Sequence, residues 1–177
     1  SKHLGESCLP GGFLPSQFLS NLTNVRDDRY GGDLAGRLTF ARETVSAVRK
    51  TIGKDCPFLY RLGVRDLLSG GLEIKDGQEA ALAIAAAGAD IIDVSAGLGG
   101  SGIHPKGYYF TEQGYFVPLA ESIRQATNLP VIGVGRIREP EYADRIVREE
   151  KVDLVAVGRE MLADARWAQK AADRLGI

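Results

Sequence analysis

Cysteine and histidine are scarce in this chain, net charge is almost nil, and no apolar run is long. The two cysteines, Cys8 and Cys56, and the two histidines, His3 and His104, do not stand at zinc-ligand or redox spacings. A disulfide scaffold and a metal centre are therefore not expected, and a reducing cytoplasm fits. Lys+Arg 22 against Asp+Glu 23 leaves a net charge of −1. Nucleic acid and anionic membrane surfaces need a basic footprint that this balance does not supply, so the expected partner is a small molecule. No apolar run approaches the roughly 18 residues of a membrane span, and residues 1–7 lack the apolar stretch of a signal peptide. The chain opens on Ser1, which points to processing or tag removal ahead of it.

What is present describes a globular domain. Hydrophobic residues make up 44% and charged residues 25%, which excludes disordered and collagenous classes. At about 150 residues per domain, the length predicts one domain. From residue 34 onward, amphipathic segments alternate with short apolar ones, the pattern of parallel β/α units. The expected strands cover 57–62, 90–95, 129–134 and 152–157, and apolar residues of both parities predict burial of both faces. The expected helices cover about 34–50, 76–87, 117–127, 139–149 and 163–174. In the first, Leu34, Leu38, Ala41, Val45 and Val48 form one stripe, and Gly53 is the stop signal. Trp167, Leu162 and Ala171 are expected to pack the last helix on the sheet. Four such units make either a small open sheet or half of a (βα)8 barrel.

Chemistry is expected where strands end. Gly133-Val134-Gly135-Arg136 follows the third strand and Gly158-Arg159 the fourth. Glycines let backbone N–H groups approach an oxyanion, a following helix adds its positive end, and arginine supplies a charged fork. Phosphate is the guest these residues suit. The long loop from Ala96 to Tyr109 is read as substrate-facing. Arg61 lies inside an apolar strand, where a guanidinium must be paired. Two readings are open: a structural partner of Asp93 on the next strand, or a cation facing a negatively polarised ring in the barrel mouth.

The segment from Gly12 to Arg37, with its elements Q-F-L-S, N-x-R-x-D-x-Y-G-G and the helix-opening Arg37, closely resembles the Old Yellow Enzyme family of FMN-dependent oxidoreductases. The resemblance continues through Tyr60-Arg61-Leu62, residues 92–97, residues 130–135 and residues 153–159, and so covers nearly everything from residue 12 onward. It implies a partial, half TIM-type (βα) barrel of about four parallel strands with outer helices. Residues 1–33 would be the remnant of the loop after the family's fourth strand, and 34–177 the βα units of a single half-barrel domain. It implies FMN as cofactor and NAD(P)H as reductant. Arg61 would meet the pyrimidine edge of the flavin, and Gly135, Arg136, Gly158 and Arg159 would hold its phosphate. The implied reaction passes hydride from nicotinamide to FMN and on to an activated alkene.

The sequence departs from the family where substrate is handled. Cys8 and Gly11 stand at the positions of the carbonyl-binding His pair, and Phe13 at that of the proton-donating tyrosine. Impaired or altered catalysis is expected, and no catalytic residue is assigned. A half barrel leaves its inner face and two sheet edges open, which predicts a homo-oligomer, a dimer that closes or covers the sheet. Two further functions fit the residues. An ester hydrolase would use Ser101 and His104, with Asp66 or Asp93 orienting and Cys8 as another nucleophile. A non-catalytic phosphate-ligand binder would need only the glycine and arginine positions, with Tyr108, Tyr109, Tyr115 and Phe116 either mediating association or simply packing a loop.

Overall fold

The computed structural model describes residues 5–7, 14–98 and 111–177. The elements run β1 (Gly5–Ser7), α1 (Leu14–Leu19), α2 (Leu34–Arg37), α3 (Thr39–Ile52), β2 (Phe58–Gly63), α4 (Ile74–Ala87) and β3 (Ile91–Ser95). They continue with α5 (Val117–Ala126), β4 (Val131–Gly133), α6 (Pro140–Arg148), β5 (Leu154–Val155), α7 (Arg159–Ala163) and α8 (Trp167–Leu175). The strands form one parallel sheet in the order β1-β2-β3-β4-β5. The four expected strands are β2 to β5. The fifth, β1, falls in a segment expected to be loop, because Gly-Glu-Ser carries no apolar pattern. It becomes a strand by pairing with β2, Glu6 opposite Leu59.

The helices cover the sheet through the stripes their spacing predicts. Leu38, Ala41 and Val45 of the first stripe are buried, with Leu34 and Val48 packed beside them. Gly53 ends α3 at φ 74, where an L side chain would be strained. The single helix expected over 34–50 is divided at Leu38, with Asp33 capping the short α2 through Gly36 N–H at 2.8 Å. Residues with no exposure, among them Phe58, Ile84, Ile92, Val94, Ile123 and Val131, form the core between helices and sheet. Each such side chain contributes about 1.5–3 kcal/mol relative to exposure.

Burial of both strand faces does not hold for β2. Phe58, Tyr60 and Leu62 are buried, while Leu59, Arg61 and Gly63 are only half-buried. Strand alternation turns the second set to the inner face, which carries charge as well as apolar groups. Leu162 is 88% exposed rather than packed on the sheet. Trp167 instead donates its indole N–H to the carbonyl of Arg138 at 3.1 Å.

The amino ends of the strands are bracketed by a repeated device. Asp90 Oδ2 accepts the Phe58 N–H at 2.7 Å and pairs with Arg49 of α3. Asp153 Oδ2 accepts the Val131 N–H at 2.9 Å, and its Oδ1 lies 3.1 Å from Arg124 Nε of α5. The motif between Phe18 and Arg37 is likewise structural. Asn24 Nδ2 donates to the carbonyls of Phe18 and Tyr30, and Arg37 donates to those of Leu19 and Gly32.

Candidate active site

The carboxyl ends of β2, β4 and β5 border a cavity of about 450 Å³. Arg61 reaches it from β2, Val134 and Arg136 from the turn after β4, and Ala156, Gly158 and Arg159 from the end of β5. Arg61 and Asp93 are register partners, so parallel pairing puts them side by side on the inner face. Arg61 Nη1 lies 3.1 Å from Asp93 Oδ2, with the arginine side chain 26% exposed and the aspartate 7%. Arg61 thus has Asp93 as its structural partner and also lines the cavity.

Arg136 and Gly135 both have positive φ, 55 and 129. Gly135 does not itself line the cavity. It lies beneath it, where a Cβ would stand 3.0 Å from Phe116 N and 3.1 Å from Tyr115 N, so glycine is needed both for space and for its backbone angle. Gly158 has open space around any added Cβ and stands at the N-cap of the five-residue α7. α6 begins at Pro140, and the N–H groups of Arg138 and Glu139 ahead of it go to Gln113 Oε1, both at 3.3 Å.

Two contributors escaped the sequence reading. Arg138 adds a cation to the cavity lining, and Tyr115 forms part of its wall. Tyr115 also stands edge-on against Phe116 at 4.6 Å, and Phe116 is 8% exposed. Arg138 had a signal in its two-residue spacing from Arg136; Tyr115 had none, because its place depends on the fold of another loop. Behind it, burial pushes the Tyr142 phenol above its ordinary range.

The hydrolase constellation is not assembled among the described residues. Asp66 is 5% exposed, and its Oδ2 accepts Ser20 Oγ–H at 2.6 Å and the Leu72 N–H at 2.9 Å. That carboxylate ties a loop together. Ser101, His104 and Cys8 lie outside the described residues, as do Gly11, Phe13, Tyr108 and Tyr109. Among the described residues, no helix is long and apolar enough to cross a membrane.

Comparison with known proteins agrees with the motif between Gly12 and Arg37. The model of the NADH:flavin oxidoreductase / NADH oxidase family matches residues 10–176. An NADH oxidase of Thermoanaerobacter brockii is 39% identical over 163 residues, 90% of this chain and 25% of that protein. An NADPH dehydrogenase of Listeria monocytogenes serotype 4a is 36% identical over 165 residues, 93% of this chain and 47% of that protein. The chain thus spans about a quarter to a half of these relatives. A 2-naphthoyl-CoA reductase in complex with 2-naphthoyl-CoA superposes with a TM-score of 0.87 at 30% identity, over 96% of this chain and 26% of that one. Its fold is the corresponding portion of a TIM-type barrel, and the chain belongs to the NADH:flavin oxidoreductase / NADH oxidase family.

Proposed function

We propose that this chain holds FMN in an NAD(P)H-dependent oxidoreductase of the ene-reductase type. One observation carries the reading: Arg61, Arg136, Gly158 and Arg159, from three strand ends, line a single cavity. Its volume of about 450 Å³ lies in the range of roughly 300–1,000 Å³ usual for cofactor sites. The residues fit FMN at both ends. Arg136, Arg138 and Arg159 outnumber Glu160 around the cavity, a surplus suited to a phosphate dianion. Arg61 lines the cavity with its side chain 26% exposed, which leaves guanidinium surface for a ligand beside its bond to Asp93.

When bound, FMN supplies the ring that accepts and donates hydride. The chain's own residues bind and orient. Asp93 steadies the Arg61 guanidinium, which would hold positive charge where the pyrimidine edge of a bound flavin gains negative charge on reduction. Arg136, Arg159 and the backbone at Gly158 would hold the phosphate, with Gly135 shaping the turn beneath them. Phe13 has no proton to give, and Cys8 and Gly11 cannot polarise a carbonyl as a His pair does. Alkene reduction by this chain is therefore slow, since a positioned acid is worth about 10²–10⁴ in rate. Two copies associate across the open face, where Leu154 is 47% exposed, and the cysteine usage suits the cytoplasm.

Titration with FMN, followed by flavin fluorescence, tests the reading. Saturable binding that weakens in Arg136→Ala and Arg159→Ala is expected; no binding at millimolar FMN overturns it. Light scattering that returns a monomeric mass at micromolar concentration would overturn the association.

A further inference from the structure

Gln113 belongs to the segment after β3, yet its side chain is committed to the turn after β4. Its Oε1 accepts the N–H groups of Arg138 and Glu139, and its Nε2 donates to Glu139 Oε2 at 2.7 Å. α6 has no side-chain cap of its own: Glu139 occupies the N-cap position without a capping bond, and Pro140 follows. Gln113 therefore caps α6 from a distance of 25 residues in sequence. One residue further on, the Gly114 N–H donates to the Gly135 carbonyl at 2.5 Å. The two residues clasp both ends of the span 135–139.

Arg136 lies inside that span at φ 55, a left-handed conformation that an arginine adopts only at a cost. Such a residue persists where its surroundings over-determine it, and the clasp is what surrounds it. We propose that Gln113 is a positioning residue for the phosphate end of the cavity: it fixes Arg136 without touching the ligand, and so sets how strongly a phosphate-bearing flavin is preferred. The inference rests on the FMN reading above. By linkage, phosphate binding also tightens the segment around Gln113, because coupling between two sites is reciprocal.

The test compares FMN with riboflavin, which lacks the phosphate, on the full chain. Gln113→Met removes donor and acceptor at similar length. FMN affinity is expected to fall about three- to tenfold, the worth of a cap or a net hydrogen bond, with riboflavin affinity unchanged. The exchange Gln113→Glu with Glu139→Gln keeps an acceptor for both N–H groups and reverses the side-chain bond, and it is expected to restore FMN affinity to within about twofold. Equal losses for both flavins, or unchanged FMN affinity in Gln113→Met while the wild-type chain binds FMN more tightly than riboflavin, would overturn the proposal. A wild-type chain without preference for FMN overturns the phosphate assignment itself, and the inference with it.

Discussion

Arg61 and Asp93 face each other across two adjacent parallel strands, with Nη1 and Oδ2 3.1 Å apart. The carboxylate is nearly buried, while the guanidinium keeps a side open to the cavity. That asymmetry lets one arginine serve structure and ligand together. Removing one partner of a buried ion pair costs about 3–5 kcal/mol, and an exposed pair is worth about 0–1. Arg61→Leu should therefore destabilise by roughly 2–4 kcal/mol. Arg61→Leu combined with Asp93→Leu should regain most of that loss, because apolar groups replace a buried pair at little cost. Urea unfolding measures both; a single-variant loss below about 1 kcal/mol would show that Asp93 does not need its partner. FMN binding should be lost in both variants.

The brackets at the opposite end of the sheet should affect stability alone. Asp90→Ala strands the Phe58 N–H and takes the carboxylate from Arg49, which keeps the carbonyls of Gly88, Gly53 and Cys56; Asp153→Ala strands the Val131 N–H and takes the carboxylate from Arg124, which keeps the Glu150 carbonyl. Each should cost about 1–3 kcal/mol, the penalty of an unsatisfied, partly buried polar group. In barrels of this kind the amino-terminal face serves stability. FMN affinity of the folded variants should stay at the wild-type value, and a large drop would refute this division of labour.

Gly77 tests close packing of a helix on the sheet. It lies inside α4, where alanine would ordinarily gain about 1 kcal/mol of helix propensity. A Cβ there would stand 2.3 Å from the Val64 carbonyl oxygen and 2.7 Å from Val64 Cβ, so the helix would have to move. Overpacking costs about 1–3 kcal/mol, and a backbone obstacle puts this site toward the upper end. Gly77→Ala should lower Tm by a few degrees, at roughly 2–4 °C per kcal/mol for a domain of this size. A rise in Tm by calorimetry would contradict the contact.

Asp164 should titrate below the usual carboxylate range, first because the Lys170 ammonium bonds to it and second because the Arg166 N–H does. A depressed folded pKa means that its contribution to stability is present above the unfolded value, about 3.9. It disappears as pH falls through the lower folded value. Lys170→Ala should move the Asp164 titration upward, toward that ordinary value. Carbon-detected NMR of the carboxyl group reads the midpoint, and an unmoved midpoint would exclude the lysine as the main cause.

Much of the architecture is written locally. Burial of one helix face imposes its own period, so the stripe through Leu38, Ala41 and Val45, the stop at Gly53 and the β2 to β5 segments were legible before any contact was known. The strand-end glycines and arginines were legible too, because backbone turns and charge forks need particular residue types. Tertiary structure alone decided the rest. Gly-Glu-Ser becomes a strand because β2 offers it an edge. Arg61 meets Asp93 because the register aligns them, and Gln113 caps α6 because β3 and β4 lie side by side and bring their loops together. Periodicity records which side of an element is buried. It carries no record of which distant residue will stand opposite, and that depends on strand register and on the loops the sheet draws together.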